Sequence, residues 1–172
     1  MRTTKKIVLS AILSALCVAI IVIFSLLDML NFSIAYICSI IIFFVLNELG
    51  WKWATMMYFV VSIILLLTIG FNNFAAFSFI FYFGHMPIIW KIFTKVPKVI
   101  AWISKMAISN ALLISSYFIF KSIVVSEADT PLLLVLTLVL ANVVYLLGYL
   151  LYDKLLKIYM LKLREKIAKY LK

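Results

Sequence analysis

Six long apolar runs alternate with short polar or charged segments along the chain. An α-helix rises about 1.5 Å per residue, so roughly 20 apolar residues cross the ~30 Å hydrocarbon core of a bilayer. The pattern predicts an all-α integral membrane protein with six transmembrane helices, short loops and a basic amphipathic C-terminal tail. The predicted spans cover approximately residues 7–28, 32–47, 53–69, 74–90, 99–120 and 131–152, and the tail covers 153–172. We expect these elements to form a single transmembrane domain, residues 1–172.

The first apolar run, Ile7 to Leu27, is 21 residues long and follows Arg2, Lys5 and Lys6. A secretory signal peptide is the alternative for such a segment. Its apolar core is about 7–15 residues long, and a cleavage site with small residues follows it. The Ser-Leu-Leu-Asp sequence from Ser25 is a poor cleavage site. We therefore expect an uncleaved first transmembrane helix.

The basic residues orient the six spans. Of the 16 Lys and Arg residues, fourteen fall on the side that carries both chain termini, one (Lys121) falls on the other side, and Lys105 lies within the fifth span. Because Lys and Arg stay on the cytoplasmic side, both termini are predicted to be cytoplasmic. A five-span or seven-span chain would put the basic tail outside. The same distribution accounts for the net charge of +10 without a nucleic-acid partner.

The composition supports a membrane protein without a separate soluble domain. Hydrophobic residues make up 67% of the chain and charged residues 13%, whereas soluble domains are about 45–50% apolar. In the tail, Leu156, Met160 and Leu163 recur at spacings of 4 and 3 among basic residues. We expect this tail helix to lie on the anionic surface of the lipid bilayer. Docking on a cytoplasmic partner is the alternative.

The sequence carries no pattern that is typical of catalysis. There is one His, so no histidine cluster can bind a metal, and no GxSxG, HExxH or P-loop motif is present. We therefore expect no enzymatic activity, no catalytic residues, no bound metal and no cofactor. A small integral membrane enzyme is the least favoured alternative.

Polar residues concentrate in the last three spans. Polar side chains in lipid are costly, so they usually face protein or a cavity. We predict an outward-facing ligand site with aromatic walls, formed by Asn72, Asn73, Ser78, Tyr117 and Asn142. Hydrogen bonding between helices by the same residues is the alternative. Lys105 is expected to extend to the inner headgroups and His85 to be a packing residue.

Small residues recur at helical spacing in the first span. Ala11, Ala15 and Ala19 are each four residues apart and share one face, which lets another helix approach closely in lipid. We expect this face to contact a partner helix.

The Ala11-Ile-Leu-Ser-Ala15 motif behind Lys5 and Lys6, within a short six-span chain that is basic at both ends, resembles the S components of energy-coupling factor (ECF) transporters. The resemblance implies a substrate-binding subunit that captures a vitamin or related micronutrient outside a bacterial cell membrane. It also implies that the alanine helix docks on a transmembrane coupling subunit that two ATPase subunits drive. A non-catalytic structural or accessory subunit of a larger membrane complex is the main alternative.

Overall fold

The computed structural model describes residues 3–26, 31–70, 73–119 and 131–159, and their side chains except at 116–119 and 131–138. Within these residues, six helices are long and apolar enough to cross a membrane. They are α1 (Thr3–Ser25), α2 (Asn31–Glu48), α3 (Trp51–Thr68), α4 (Phe74–Lys95), α5 (Lys98–Ile119) and α6 (Pro131–Ile158). The prediction of an all-α membrane protein with six spans is confirmed. The predicted tail beyond Tyr159 lies outside the described residues.

Two glycines end helices at tight turns. Gly50 follows α2 with φ of 100°, and Gly70 follows α3 with φ of 73°. A Cβ disfavours this left-handed region, so glycine is the residue that adopts it readily. The amides of Gly50 and Gly70 donate to the carbonyls of Val45 and Leu65, five residues back, and so cap the two helix ends.

One of the less apolar spans, α4, lies at the centre of the bundle. In α4, 72% of the most apolar window is buried inside the protein, whereas α1, the most apolar span, buries only 17%. In a soluble protein this order would be reversed. Lipid tails are as apolar as leucine, so apolar surface gains little from burial and polar groups gain most. Helices α1, α2 and α3 pack on one another, α5 packs on α6, and α4 contacts all five other helices.

Cys17 of α1 and Cys38 of α2 contact each other, and both are free and fully buried. The thiol of Cys38 donates to the Cys17 carbonyl at 3.7 Å, and Cys17 Sγ lies 4.0 Å from the Cys38 carbonyl. These short side chains allow the two backbones to approach, as expected for small packing residues.

Successive helices run in opposite directions, so each end of the bundle collects alternate turns. One end carries Thr3, the turns at Gly50 and at Val96, and Ile158, and we call it the basic end. Its described lysines outside α5 are Lys5, Lys6, Lys52, Lys91, Lys95, Lys154 and Lys157, and Lys98 joins them at the start of α5. The protein is a multi-pass membrane protein. That the basic end faces the cytoplasm stays a prediction.

Candidate functional site

Helix α4 is broken at its middle. It begins as an α-helix at Phe74–Ser78, forms a π turn at Phe79–Phe83, and resumes as an α-helix at Met86–Ile92. The Gly84 amide donates to the Phe79 carbonyl at 2.7 Å, five residues back, so the Ile80 carbonyl loses its usual amide partner. Pro87 has no N–H, so the Phe83 carbonyl loses its partner as well. Two backbone carbonyls at the centre of the bundle are thereby released.

Hydroxyl groups from neighbouring helices satisfy both released carbonyls. Tyr58 Oη of α3 donates to the Ile80 carbonyl at 2.8 Å, and Ser39 Oγ of α2 donates to the Phe83 carbonyl at 2.5 Å. Ser39 Oγ also lies 2.5 Å from Tyr152 Oη of α6. Because a hydroxyl has one proton, which Ser39 gives to Phe83, Tyr152 must donate to Ser39. No water in the bilayer core can replace these bonds, which tie α2, α3 and α6 to the broken helix.

A tyrosine face on α6 lines this interior. The side chains of Tyr145, Tyr149 and Tyr152 are fully buried, although the helix is otherwise aliphatic. Tyr145 stacks on Tyr82 with ring centroids 6.3 Å apart, and Tyr152 stacks on Phe43 at 5.3 Å. The aliphatic residues of the helix point outward, namely Val139, Leu140, Val143, Val144, Leu146, Leu147, Leu150, Leu151 and Ile158. Tyrosine spacing of 4 and 3 in an aliphatic run was the sequence signal for this face.

Lys105 is buried between α5 and α6, and its extension to the inner headgroups stays a prediction. Only 5% of the residue is exposed. Its Nζ lies 5.4 Å from the Trp102 ring centroid and 5.3 Å from the Tyr149 ring centroid. These are cation–π distances, worth up to about 2 kcal/mol each when desolvated. Tyr149 Oη also pairs with Ser109 Oγ at 3.0 Å, which holds the ring in place.

An acidic residue lies near Lys105 at the basic end. Trp90 Nε1 donates to Asp153 Oδ1 at 2.7 Å, which joins α4 to α6. The Asp153 side chain is exposed, and its charge attracts the Lys105 ammonium group. The region between α4, α5 and α6 therefore contains a buried cation, aromatic faces and one tethered carboxylate.

The predicted ligand residues in α4 make contacts within their own helix. Asn73 Oδ1 accepts from the amides of Ala75 at 3.0 Å and Ala76 at 3.3 Å, so it caps the start of α4. Ser78 is fully buried, and its hydroxyl donates to the Phe74 carbonyl at 2.6 Å. The cap stabilises the helix start, and the back-bond satisfies the buried Ser78 hydroxyl, so neither contact requires a ligand.

Asn142 of α6 pairs with Asn110 of α5. Each Nδ2 donates to the other Oδ1, at 2.7 and 2.8 Å. Asn110 Nδ2 also donates to the Met106 carbonyl at 2.9 Å. Asn142 thus makes hydrogen bonds between helices, which is the alternative to ligand binding. Asn72 and the Tyr117 side chain lie outside the description, and ligand binding by all five residues stays a prediction.

The alanine face of α1 is exposed. Ala11, Ala15 and Ala19 point away from the bundle, while Ser14 and Cys17 are buried against the other helices. Docking of a partner helix on this face stays a prediction.

Buried polar atoms without a hydrogen-bond partner within the described residues include Asn31 Oδ1, His85 Nε2 and Tyr145 Oη. His85 packs edge-on against Tyr58, with centroids 6.5 Å apart, so it is a packing residue of the α3–α4 contact, as expected.

Within the described residues, no three His, Cys, Asp or Glu side chains come together in a group that could hold a metal ion. Comparison of the chain with protein-family models, curated proteins and solved structures finds no match.

Proposed function

We propose that the protein is the membrane-embedded substrate-binding subunit of an ECF-type importer. It captures a small micronutrient, a vitamin or related compound, from outside the cell and hands it to an ATP-driven coupling module. The observation that carries this proposal is the exposed alanine face, Ala11, Ala15 and Ala19, on the least buried of the six helices. A helix that buries little against its own chain has surface available for another subunit.

The alanine face has the shape that a partner helix needs. Its three alanines extend over about 12 Å of the α1 axis. Ile12 and Leu16 lie beside them with 59% and 46% of their surface exposed, so a ridge of large side chains borders a shallow groove. Small residues next to such a ridge let helix backbones approach closely in lipid, where packing drives association. The partner in this proposal is the transmembrane coupling subunit, which two ATPase subunits drive.

The ligand is proposed to bind between α2, α4 and α6, toward the end opposite the basic end. Aromatic side chains dominate there. Phe32 meets Phe74 edge-on at 4.8 Å, and Phe77 contacts Tyr82 at 5.7 Å. Ligand pockets are mostly apolar, with a few convergent polar groups. With the basic end in the cytoplasm, this aromatic region faces outward in the membrane of a bacterial cell.

A bulky side chain at position 15 tests whether the alanine face docks on the coupling subunit. Ala15→Trp should block the approach of the partner helix, so less coupling subunit co-purifies and uptake falls. Ile37→Trp, at an exposed position on α2, is the matched control, since it adds a bulky ring elsewhere on the lipid-facing surface. Equal assembly and uptake for both variants would contradict the proposal.

A non-catalytic accessory subunit is the second candidate, and the Asn110–Asn142 pair favours it because these amides are already joined to each other. The two candidates differ in whether the purified protein carries a ligand. Mass spectrometry of the small molecules retained after purification tests this difference. A retained micronutrient that also raises the melting temperature supports the importer subunit, because a ligand that binds the native state stabilises it. An accessory subunit retains none.

A further inference from the structure

The region around Lys105 holds a positive charge whose hydrogen-bonding capacity is unused. We call it the Lys105 cleft and define it by Lys105, Trp102, Tyr149, Trp90 and Asp153. Within the described part of the chain, no ion pair or hydrogen bond joins the Lys105 ammonium group to a protein acceptor. An ammonium group has three N–H donors. The two aromatic rings attract the charge but supply no oxygen to those donors.

The energetics leave room for an additional partner. A charged lysine within a membrane-spanning helix is costly to bury unless its ammonium group finds a partner. Cation–π contacts offset part of this cost. An oxygen that accepts a charge-assisted hydrogen bond would offset more, because such bonds are about twice as strong as neutral ones.

The charges around the cleft favour an anion. Asp153 is the acidic residue that acts on Lys105, but its Oδ1 is held by Trp90 Nε1 at 2.7 Å and its side chain is exposed, so solvent screens it. Lys91, Lys98 and Lys154 are exposed at the same end of the bundle. The surroundings of the cleft are therefore positive despite the single carboxylate, and they attract an anion from the interface.

We propose that the Lys105 cleft binds an anionic oxygen group, a phosphate or a carboxylate, with the Lys105 ammonium group as its donor. Trp102 and Tyr149 flank the charge. Lys105 lies seven residues into α5, about 10 Å from the helix start, and its side chain reaches back toward that end. The phosphate of a phospholipid headgroup and a soluble anion are the two sources with this chemistry. This site is separate from the proposed micronutrient site, and its test does not depend on import.

Native mass spectrometry of the protein in nanodiscs tests the proposal and separates the two sources. Phosphatidylglycerol is compared with phosphatidylcholine of the same acyl chains. For the soluble source, inorganic phosphate and acetate are added to protein in phosphatidylcholine, and the melting temperature is measured. Preferential retention of phosphatidylglycerol assigns the site to a lipid headgroup, and a melting shift with either salt assigns it to a soluble anion.

Substitutions of Lys105 test whether its ammonium group binds the anion. Lys105→Gln should lower the affinity for the anion roughly ten- to hundred-fold, the loss expected for one hydrogen bond to a charged group. Lys105→Arg keeps the charge and should bind within a few-fold of the wild type. Lys52→Gln removes the same charge from an exposed position on α3, at the same end of the bundle, and should bind like the wild type.

The proposal fails if the wild type neither prefers phosphatidylglycerol nor responds to phosphate or acetate. It also fails if Lys52→Gln loses as much affinity as Lys105→Gln, because the anion is then held by general surface charge. If Lys105→Gln does not fold, fluorescence of the wild type takes its place. The fluorescence of Trp102 is the part of the emission that is lost in Trp102→Phe. Brominated phosphatidylglycerol should quench this part at a lower mole fraction than brominated phosphatidylcholine does. Equal quenching by both lipids, together with no response to either salt, would overturn the site.

Discussion

Replacing Ser39 with alanine should destabilise the bundle more than any other loss of one hydroxyl group. Ser39 joins three helices, since its Oγ donates to the Phe83 carbonyl and accepts from Tyr152 Oη, both at 2.5 Å. Ser39 and Tyr152 are fully buried. The Ser39→Ala variant leaves a backbone carbonyl and a phenol unpaired, and neither can reach water.

The size of the loss follows from the two broken bonds. A buried polar group that loses its partner costs about 1–3 kcal/mol. Hydrogen bonds between membrane helices average about 0.6 kcal/mol, with a maximum near 1.7, because the unfolded chain in lipid also finds partners. Two bonds at the upper part of that range predict a loss of roughly 2–3 kcal/mol in the free energy of unfolding. Unfolding by SDS titration in mixed micelles measures it.

A double-mutant cycle with Tyr152→Phe isolates the shared bond. Each single variant breaks the Ser39–Tyr152 contact, so the double variant should lose about 1 kcal/mol less than the two single losses added together. Ser33→Ala, at an exposed position one and a half turns earlier on α2, is the control and should change stability little. Additive losses in the cycle, or equal losses for Ser33→Ala and Ser39→Ala, would refute the assigned network.

Three further predictions concern the broken helix, the amide pair and the topology. Gly84→Ala should destabilise the protein by about 1–3 kcal/mol in the same SDS titration, because the new Cβ would lie 2.8 Å from the Phe79 carbonyl oxygen and from ring carbons of Tyr58; an unchanged midpoint would mean that α4 is not packed as described. Asn142→Ala should lower stability by about 0.6–1.7 kcal/mol through loss of its pair with Asn110. If Asn142 also binds the ligand, affinity should fall roughly ten- to hundred-fold as well, whereas unchanged affinity in a calorimetric titration limits its role to joining helices. Reporter fusions at the C-terminus and between α5 and α6 should report opposite sides of the membrane, with the C-terminus cytoplasmic, and reports from the same side would contradict the predicted topology.

The six spans could be predicted from the sequence because transfer of a segment from water to lipid depends on its local composition. The run of apolar residues from Ile7 predicts a span whatever the rest of the chain does. The break in α4 can be predicted for the same reason, since Gly84 and Pro87 act on their own helix. The fold class needed no information beyond these local properties.

The partners of the polar groups were decided only by the tertiary structure. Ser39 reaches a carbonyl 44 residues away and a phenol 113 residues away, and no local pattern specifies such pairs. Asn142 could equally have faced a cavity, yet it pairs with Asn110 because α5 and α6 pack with the two amides at the same depth. Trp102 and Tyr149 flank the Lys105 ammonium group, although Tyr149 lies 44 residues away along the chain. Hydropathy determines which segments enter the membrane, whereas the face that each helix turns inward depends on the surfaces of its neighbours, because lipid itself exerts almost no preference among apolar faces.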